Sequence, residues 1–189
     1  AIVLEPKILC LDEPLSNLDA KLRVGLRGEL KKLQKNLGIT TLYVTHDQEE
    51  ALTLSDRIAV FNNGFVEQVD KPYNIYNHSG SEFVCDFIGE INRLNASVLS
   101  EITTQTGHAL DGSKGGYVRL ERIRLNEIPG YAKLHGVIRD YDYNGVMTKY
   151  RVEVMGCELR VIHVNDGQPF MEIGQELDIY VNPRDIMQF

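Results

Sequence analysis

The sequence predicts an α/β segment followed by an all-β domain. Strand and helix patterns alternate from Ala1 to about Ala59, which is typical of a parallel α/β sheet. After Glu90 the hydrophobic period changes to two, and turn signals separate short strands, which indicates a small β-barrel or sandwich. Two short helix patterns in residues 71–90 lie between these parts and are interpreted as a connector.

Two apolar runs in the α/β segment are followed directly by polar residues. Ile8–Leu11 leads into Asp12 and Glu13, and Thr41–Thr45 leads into His46. Apolar runs without alternation are typical of strands that are buried on both faces of a parallel sheet. The carboxyl ends of such strands meet at one edge, where α/β folds bind ligands. We therefore expect His46 to lie near Asp12 and Glu13.

A long helix is predicted between these strands. Leucines at spacings of three and four from Leu18 to Leu37 form one apolar stripe, and Gly38 is a suitable stop. Asp47, followed three residues later by Glu50, resembles a capping box, so a short helix is predicted to begin there. A hairpin with an Asn-Gly turn is predicted to follow at residues 57–69.

The second half carries strand patterns between turn signals. Apolar and polar residues alternate over Tyr150–Met155 and Leu177–Asn182, and Asn144-Gly145 is one of several turn dipeptides. This half has on the order of 100 residues, which is enough for a hydrophobic core of its own.

Composition excludes several classes of protein. The 20 basic and 27 acidic residues give a formal net charge of −7, which argues against a general nucleic-acid binder. No apolar run approaches the roughly 18 residues of a membrane-spanning helix. The cysteines lie far apart and fit neither a disulfide framework nor a zinc cluster, which favours a reducing compartment. They are Cys10, Cys85 and Cys157.

The polar residues at the two strand ends suit phosphoryl transfer. Of two adjacent carboxylates, one can hold Mg²⁺ and the other can polarise an attacking water. A histidine donor beside them can stabilise charge on a phosphoryl group. Each signal taken alone is also compatible with a structural role, in which Asp12 and Glu13 are solvated acids and His46 is a structural histidine.

Three segments resemble the ATP-binding subunits of ABC importers. They match the Walker B strand, the D-loop and the switch-histidine loop, in the family's order and at its spacing: Ile8–Pro14, Leu15–Arg23 and Tyr43–Ala51. Residues 57–90 resemble the continuation of that domain. Residues 91–189 resemble the TOBE-type β-domain of the sugar, polyamine and iron importer branch, with Leu120 in Val118–Leu125 where proline is usual.

The resemblance implies a fold class and three parts. The fold class is an α/β remnant of a P-loop ATPase domain followed by an all-β OB-like (TOBE) barrel domain. Residues 1–70 correspond to the C-terminal part of the ABC ATPase domain, residues 71–90 to a helical connector and residues 91–189 to a TOBE-type regulatory β-domain.

The same resemblance implies roles for individual residues. Asp12 would hold Mg²⁺ through water, Glu13 would be the general base for the hydrolytic water, and His46 would contact the γ-phosphate and sense its loss. The D-loop, which meets a second copy of the subunit across bound ATP, would be formed by Ser16, Asn17 and Asp19.

Other motifs of that family are absent from the sequence. It contains no G-x-x-x-x-G-K-[ST] phosphate loop and no Leu-Ser-Gly-Gly-Gln signature, and Asp111–Gly116 is better interpreted as a turn. We expect a C-terminal portion of a longer ATPase that uses ATP and Mg²⁺, with neither bound by this chain alone. Without full cover, the leucine stripe favours dimerisation or poor order in residues 1–60.

The resemblance implies ATP hydrolysis by a homodimer that drives import through transmembrane permease subunits. The subunit would be cytoplasmic and peripheral at the inner face of the cell membrane, and the solute would be a polyamine or iron. Two alternatives stay open. One is a stand-alone regulatory or small-anion-binding β-module that uses Arg119, Arg122 and Arg124. The other is an OB-like nucleic-acid binder, against which the acidic residues beside Tyr141 and Tyr143 argue.

Overall fold

A computed structural model describes residues 6–167 and 169–189 of the chain. The start of the part predicted for residues 1–70 therefore lies outside the described residues. The chain divides into two compact units, Ala1–Ser79 and Gly80–Phe189. This division falls inside the segment interpreted as a connector, so that one of its two helices belongs to each unit.

The first unit contains a parallel strand pair and an antiparallel hairpin. Strands β1 and β2 pair in parallel, with Asp12 opposite Val44 in the last pair of the register. Strands β3 and β4 form the predicted hairpin, with Asn63 and Gly64 at positive φ in its turn. The elements are β1 Ile8–Asp12, α1 Ala20–Leu37, β2 Thr40–Val44, α2 Gln48–Leu54, β3 Ile58–Asn62, β4 Phe65–Asp70 and α3 Pro72–Asn77.

Side-chain caps set the limits of α1 and α2. The Asp19 carboxylate accepts a hydrogen bond of 3.0 Å from the amide of Leu22, and Gly38 ends α1 with a φ of 62°. The Asp47 carboxylate accepts from the amide of Glu50 at 3.0 Å, as the capping-box pattern predicts. Both helices therefore begin at an aspartate that satisfies an otherwise unpaired amide.

The prediction that β1 and β2 are buried on both faces is wrong. Their residues alternate between exposed and half-buried, and Ile8, Leu42 and Val44 are exposed. Among the described residues the sheet of β1 and β2 has two strands, so each strand has an open edge and little cover. The leucine stripe of α1 is at most half-buried for the same reason.

The second unit is built on four antiparallel strands in the order β10-β7-β8-β9. A separate antiparallel pair, β5 and β6, accompanies this sheet. The elements are α4 Glu82–Phe87, β5 Ile91–Leu94, α5 Ala96–Thr106, β6 Gly116–Arg119, β7 Ala132–Tyr143, β8 Met147–Val154, β9 Cys157–Val164 and β10 Glu176–Val181, with single 3₁₀ turns at Leu120–Arg122 and Pro183–Asp185.

The four-stranded sheet is not a closed barrel, which corrects part of the predicted fold class. Strands β9 and β10 lie at opposite ends of the sheet and do not pair with each other. Instead, the buried side-chain amide of Asn92 in β5 donates to the carbonyl of Arg160 at 2.8 Å and accepts from its amide at 2.7 Å. A side chain thus satisfies backbone groups of β9 that a closing strand would otherwise pair.

Helix α5 corrects the all-β prediction for this half. Its N-terminus is capped by Asn95, whose side chain accepts from the amide of Val98 at 2.9 Å, and it ends at Gly107. Its buried face packs on the sheet in a single hydrophobic core. That core includes Val98, Leu99, Ile102, Leu134, Ile138, Tyr150, Val152, Leu159 and Ile179. None of the helices in the described segments has the length and hydropathy that crossing a membrane requires.

Candidate functional site

Glu13 and His46 meet at the end of the parallel strand pair. The amide of Glu13 continues the ladder by donating to the carbonyl of Val44 at 2.9 Å. His46 follows two residues later, and its Nδ1 lies 2.9 Å from Oε1 of Glu13. The in-register pairing of β1 with β2 therefore brings together two of the residues that the strand patterns predicted to be neighbours.

The Glu13–His46 pair is open to solvent. The His46 side chain is 71% exposed and that of Glu13 is 44% exposed. The hydrogen bond to Glu13 raises the pKa of His46 above its ordinary value of 6.5, and the negative charge of Glu13 adds to this effect. The contact with Glu13 therefore favours the protonated imidazole, in which both ring nitrogens are donors that can hydrogen-bond an anionic group.

The remaining residues of the predicted site lie at the end of β1 and in the turn that follows it. Glu13 has a positive φ of 42°, and its carbonyl accepts from both the amide and the hydroxyl of Ser16, at 3.2 and 2.9 Å. Asp12 and Asn17 are exposed. Asp19 is the cap of α1, a structural role that the motif resemblance alone did not indicate.

Asp12 is the residue that could hold Mg²⁺. No group of three or more His, Cys, Asp or Glu side chains in the described segments is arranged to hold a metal ion. Mg²⁺ is commonly bound by one or two carboxylates, with water and phosphate oxygens completing its octahedral shell. Asp12 is exposed at the end of β1, so its carboxylate could be the one protein ligand in such a shell.

An ion-pair network, which the sequence analysis missed, joins α1 to the residues after His46. The Arg27 guanidinium donates to Asp47 and Glu49, each at 2.7 Å, and Arg23 approaches Asp47 at 3.4 Å. Burial alone would raise the pKa of Asp47, but the amide of Glu50 and the charge of Arg27 outweigh it and lower that pKa. The sequence signal for this network was the spacing of four residues between Arg23 and Arg27, which places both side chains on one face of α1.

Glu50 extends this network into the interior of the first unit. Its carboxylate is 3% exposed and accepts from the hydroxyls of Tyr43 at 2.8 Å and Thr45 at 3.0 Å. Burial and the bond to Glu50 raise the pKa of Tyr43 well above its usual range, so the phenol remains a donor. The turn that carries His46 thus has polar contacts on both sides.

The three arginines considered for a small-anion site have separate partners. Arg119 is buried and donates to the carbonyl of Cys85 at 2.9 Å, while Arg122 pairs with Asp185 at 3.8 Å. Arg124 is exposed, and its backbone pairs with that of Tyr180. A small-anion site in this domain would require these arginines to converge with backbone N–H donors in one pocket.

Tyr141 and Tyr143 form aromatic contacts rather than a basic groove. Their rings lie 4.7 and 6.5 Å from that of Phe170, in edge-to-face geometry. The neighbouring carboxylates Asp140 and Asp142 lie 2.8 and 3.6 Å from the guanidinium of Arg151.

Comparisons with known proteins agree with these features. Residues 117–189 match the TOBE domain family. The chain is 41% identical over 197 residues to the spermidine/putrescine import ATP-binding protein PotA of Borreliella afzelii, covering 98% of this chain and 55% of that protein. It is 44% identical over 158 residues to an uncharacterized ABC transporter ATP-binding protein, YdcT, of Escherichia coli, covering 84% and 44%. The chain is a relative of the C-terminal portion of ABC importer ATP-binding subunits, and it carries a TOBE domain.

The chain spans about half the length of the curated relatives it matches. The PotA protein of Bacteroides thetaiotaomicron is a further relative, 40% identical over 196 residues, with 98% of this chain and 42% of that protein covered. Among solved structures, the molybdate-bound form of the cytoplasmic molybdate-binding protein ModG gives a TM-score of 0.35 at 11% identity, covering 46% of this chain and 67% of that one. That similarity is too low to support an inference about this chain.

Proposed function

We propose that this chain supplies the Walker B, D-loop and switch-histidine segments, together with the TOBE domain, of the ATP-hydrolysing subunit of an ABC importer. The observation that carries the proposal is the contact of 2.9 Å between Glu13 and His46 at the ends of adjacent parallel strands. A carboxylate and an imidazole side by side at such an edge are a base and a donor within reach of one phosphoryl group.

The roles follow from the chemistry of each group. Bound ATP presents a γ-phosphoryl group to the site. The Glu13 carboxylate takes a proton from water as the water oxygen attacks phosphorus and the bond to the ADP oxygen breaks. The exposed His46 imidazole can turn from Glu13 to a phosphoryl oxygen without displacing a packed side chain. Asp12 would hold Mg²⁺, which neutralises phosphate charge when bound.

The partners of the proposed subunit are a second copy of itself and membrane permease subunits. Ser16, Asn17 and Asp19 lie in the turn between β1 and α1, where the D-loop motif of the family falls. The proposed location is the cytoplasmic face of the membrane. Because relatives such as PotA are named for spermidine and putrescine import, we propose polyamines rather than iron as the solute.

We expect the 189-residue chain to lack measurable ATP affinity by itself. It contains no G-x-x-x-x-G-K-[ST] segment, so it has neither the backbone amides nor the lysine that such a loop directs at phosphates. Titration of the chain with Mg-ATP in a calorimeter tests this expectation. Binding in the micromolar range would show that the phosphate loop is dispensable in this protein.

The decisive experiment measures ATP turnover and ATP binding in the complete importer subunit that contains this sequence. We expect Glu13→Gln to lower turnover by a factor of at least about 100 while ATP binding is preserved, because the amide cannot accept the proton. His46→Ala should also lower turnover sharply. Glu29→Gln, at an exposed position of α1, is the matched control. Turnover at the wild-type rate in Glu13→Gln would exclude Glu13 as the base.

A further inference from the structure

We infer that Arg27 is a positioning residue that holds the turn carrying His46 opposite Glu13. This inference rests on the proposed function and adds to it a residue outside the three motif segments. Arg27 lies in the middle of α1, and it reaches the start of α2 directly after His46.

His46 is not fixed by packing of its own side chain. The imidazole is 71% exposed, and Glu13 is its hydrogen-bond partner. Its position therefore depends on the backbone between the end of β2 and the start of α2. A displacement of about 1 Å in a reacting geometry can cost as much as a factor of 100 in rate, so the rigidity of this turn bears on catalysis.

Hydrogen bonds on both sides of His46 fix this turn. The Thr45 hydroxyl accepts from the amide of Asp47 at 3.0 Å and lies 3.0 Å from the carboxylate of Glu50. One oxygen of Asp47 caps α2 by accepting from the amide of Glu50. The other oxygen of Asp47 faces α1, so the cap residue itself needs a partner on that side.

Arg27 is that partner. Its guanidinium nitrogens lie 2.7 Å from Asp47 and 2.7 Å from Glu49, and its Nε lies 3.9 Å from the buried carboxylate of Glu50. The side chain is 11% exposed, unlike an ordinary surface ion pair. The planar fork of arginine can hold two carboxylates at once, whereas the single ammonium of lysine cannot reproduce that geometry.

The neighbouring Arg23 gives this helix a second connection. It donates to the carbonyl of Leu18 at 3.1 Å and to that of Ser16 at 3.5 Å, both in the turn after Glu13. Lys31, one turn beyond Arg27, donates to the carbonyl of Thr53 near the end of α2. Helix α1 therefore contacts the Glu13 turn through Arg23, and the residues around His46 through Arg27.

A double-mutant cycle in the complete subunit tests the inference. We expect Arg27→Gln to lower kcat about tenfold and to leave the Kd for ATP unchanged. A tenfold loss is smaller than the factor of about 100 that a misplaced catalytic group can cause. Arg27→Lys should recover part of the rate. In a His46→Ala background, Arg27→Gln should have no further effect, because both changes remove the same contribution. Lys32→Gln, which removes an exposed charge from the same helix, is the control.

Two outcomes of the cycle would overturn the inference. One is a rate for Arg27→Gln equal to the wild-type rate while Glu13→Gln and His46→Ala are impaired. The other is a loss that is the same in both backgrounds and is accompanied by weaker ATP binding, which would assign Arg27 a role in folding alone. A wild-type subunit without ATPase activity would overturn the proposed function.

A second double-mutant cycle, measured by NMR without nucleotide, distinguishes failure of the Arg27 inference from failure of the proposed function. In the 189-residue chain, ¹⁵N NMR of the His46 ring reports its contact with Glu13. We expect Glu13→Gln to shift the Nδ1 signal in the wild-type background and to leave it unchanged in an Arg27→Gln background. An equal shift in both backgrounds would show that Arg27 does not hold His46 in place, whatever the activity of the subunit.

Discussion

Glu13 and His46 lie 33 positions apart in the sequence, yet their side chains are joined by a hydrogen bond of 2.9 Å. The contact exists because β1 and β2 run parallel and in register, so that the residues after both strands leave the sheet at the same edge. It is the geometric basis of the proposed chemistry, and it can be tested without nucleotide.

The protonation of His46 should depend on Glu13. Because Glu13 raises the pKa of His46 above 6.5, protonated His46 stabilises the folded state below that pH, and this contribution is lost as the pH rises through the raised pKa. We expect Glu13→Gln to bring the pKa of His46 down towards 6.5 in an NMR titration of the chain. An unchanged His46 titration would contradict the contact.

Asp47 should stabilise the first unit in a pH-dependent manner. Asp47→Ala removes the cap of α2 and the partner of Arg27, so we expect a loss of about 1–2 kcal/mol in the free energy of unfolding. Because the pKa of Asp47 is lowered in the folded state, its contribution is present above pH 3.8 and is lost as the pH falls through the folded value. Urea unfolding at pH 7 and pH 3, followed by signals of the first unit, measures both effects.

The exposed Asp56, just after α2, provides the control for Asp47. Asp56→Ala should change the free energy of unfolding by less than about 0.5 kcal/mol. If the two alanine variants unfold at the same urea concentration at pH 7, the network around Asp47 does not stabilise the unit.

The buried amide of Asn92 should be essential to the stability of the second unit. Asn92→Ala leaves the backbone amide and carbonyl of Arg160 without their partner, and each unsatisfied buried group costs about 1–3 kcal/mol. We expect a lower midpoint of thermal unfolding for signals of this unit, whereas Asn126→Ala at an exposed position should leave it unchanged. Equal midpoints for the two variants would mean that water replaces the lost amide.

Two glycine-to-alanine changes should have opposite effects. A Cβ at Gly136 would lie 2.6 Å from Val152, 2.7 Å from Val154 and 2.9 Å from the backbone oxygen of Glu153, so we expect destabilisation of about 1–3 kcal/mol. A Cβ at Gly28, inside α1, would meet nothing within 4 Å and should stabilise the helix by about 0.5–1 kcal/mol. Chemical denaturation of both variants, followed unit by unit, checks the signs.

The local signals in the sequence predicted the elements that carry the site. The apolar runs before Glu13 and His46, the cap at Asp47 and the stop at Gly38 all correspond to features of the structure. These signals depend on neighbouring residues alone. The burial of β1 and β2 was wrongly predicted because it depends on how many strands and helices cover the sheet, which an apolar run does not specify.

Other features depend on contacts between distant residues. Arg27 meets Asp47 although 20 positions separate them, and no short pattern indicates which carboxylates it will reach. In the second unit, Asn92 pairs with Arg160 at the end of the open sheet, 68 positions away in the sequence. Helix α5 was missed although Asn95 and Gly107 are ordinary start and stop signals, because the two-residue period of the later strands dominated the interpretation.

The left-handed backbone at Glu13 lowers the stability of the fold, whereas the side chain at this position is needed for the proposed chemistry. A residue with a Cβ costs about 1–2 kcal/mol in that conformation, and glycine would relieve most of this cost. The proposed function, however, needs a side chain at this position that accepts a proton, and glycine has none. Selection for a more heat-resistant chain would therefore favour glycine at position 13, and the most stable sequence for this turn would lack the proposed base.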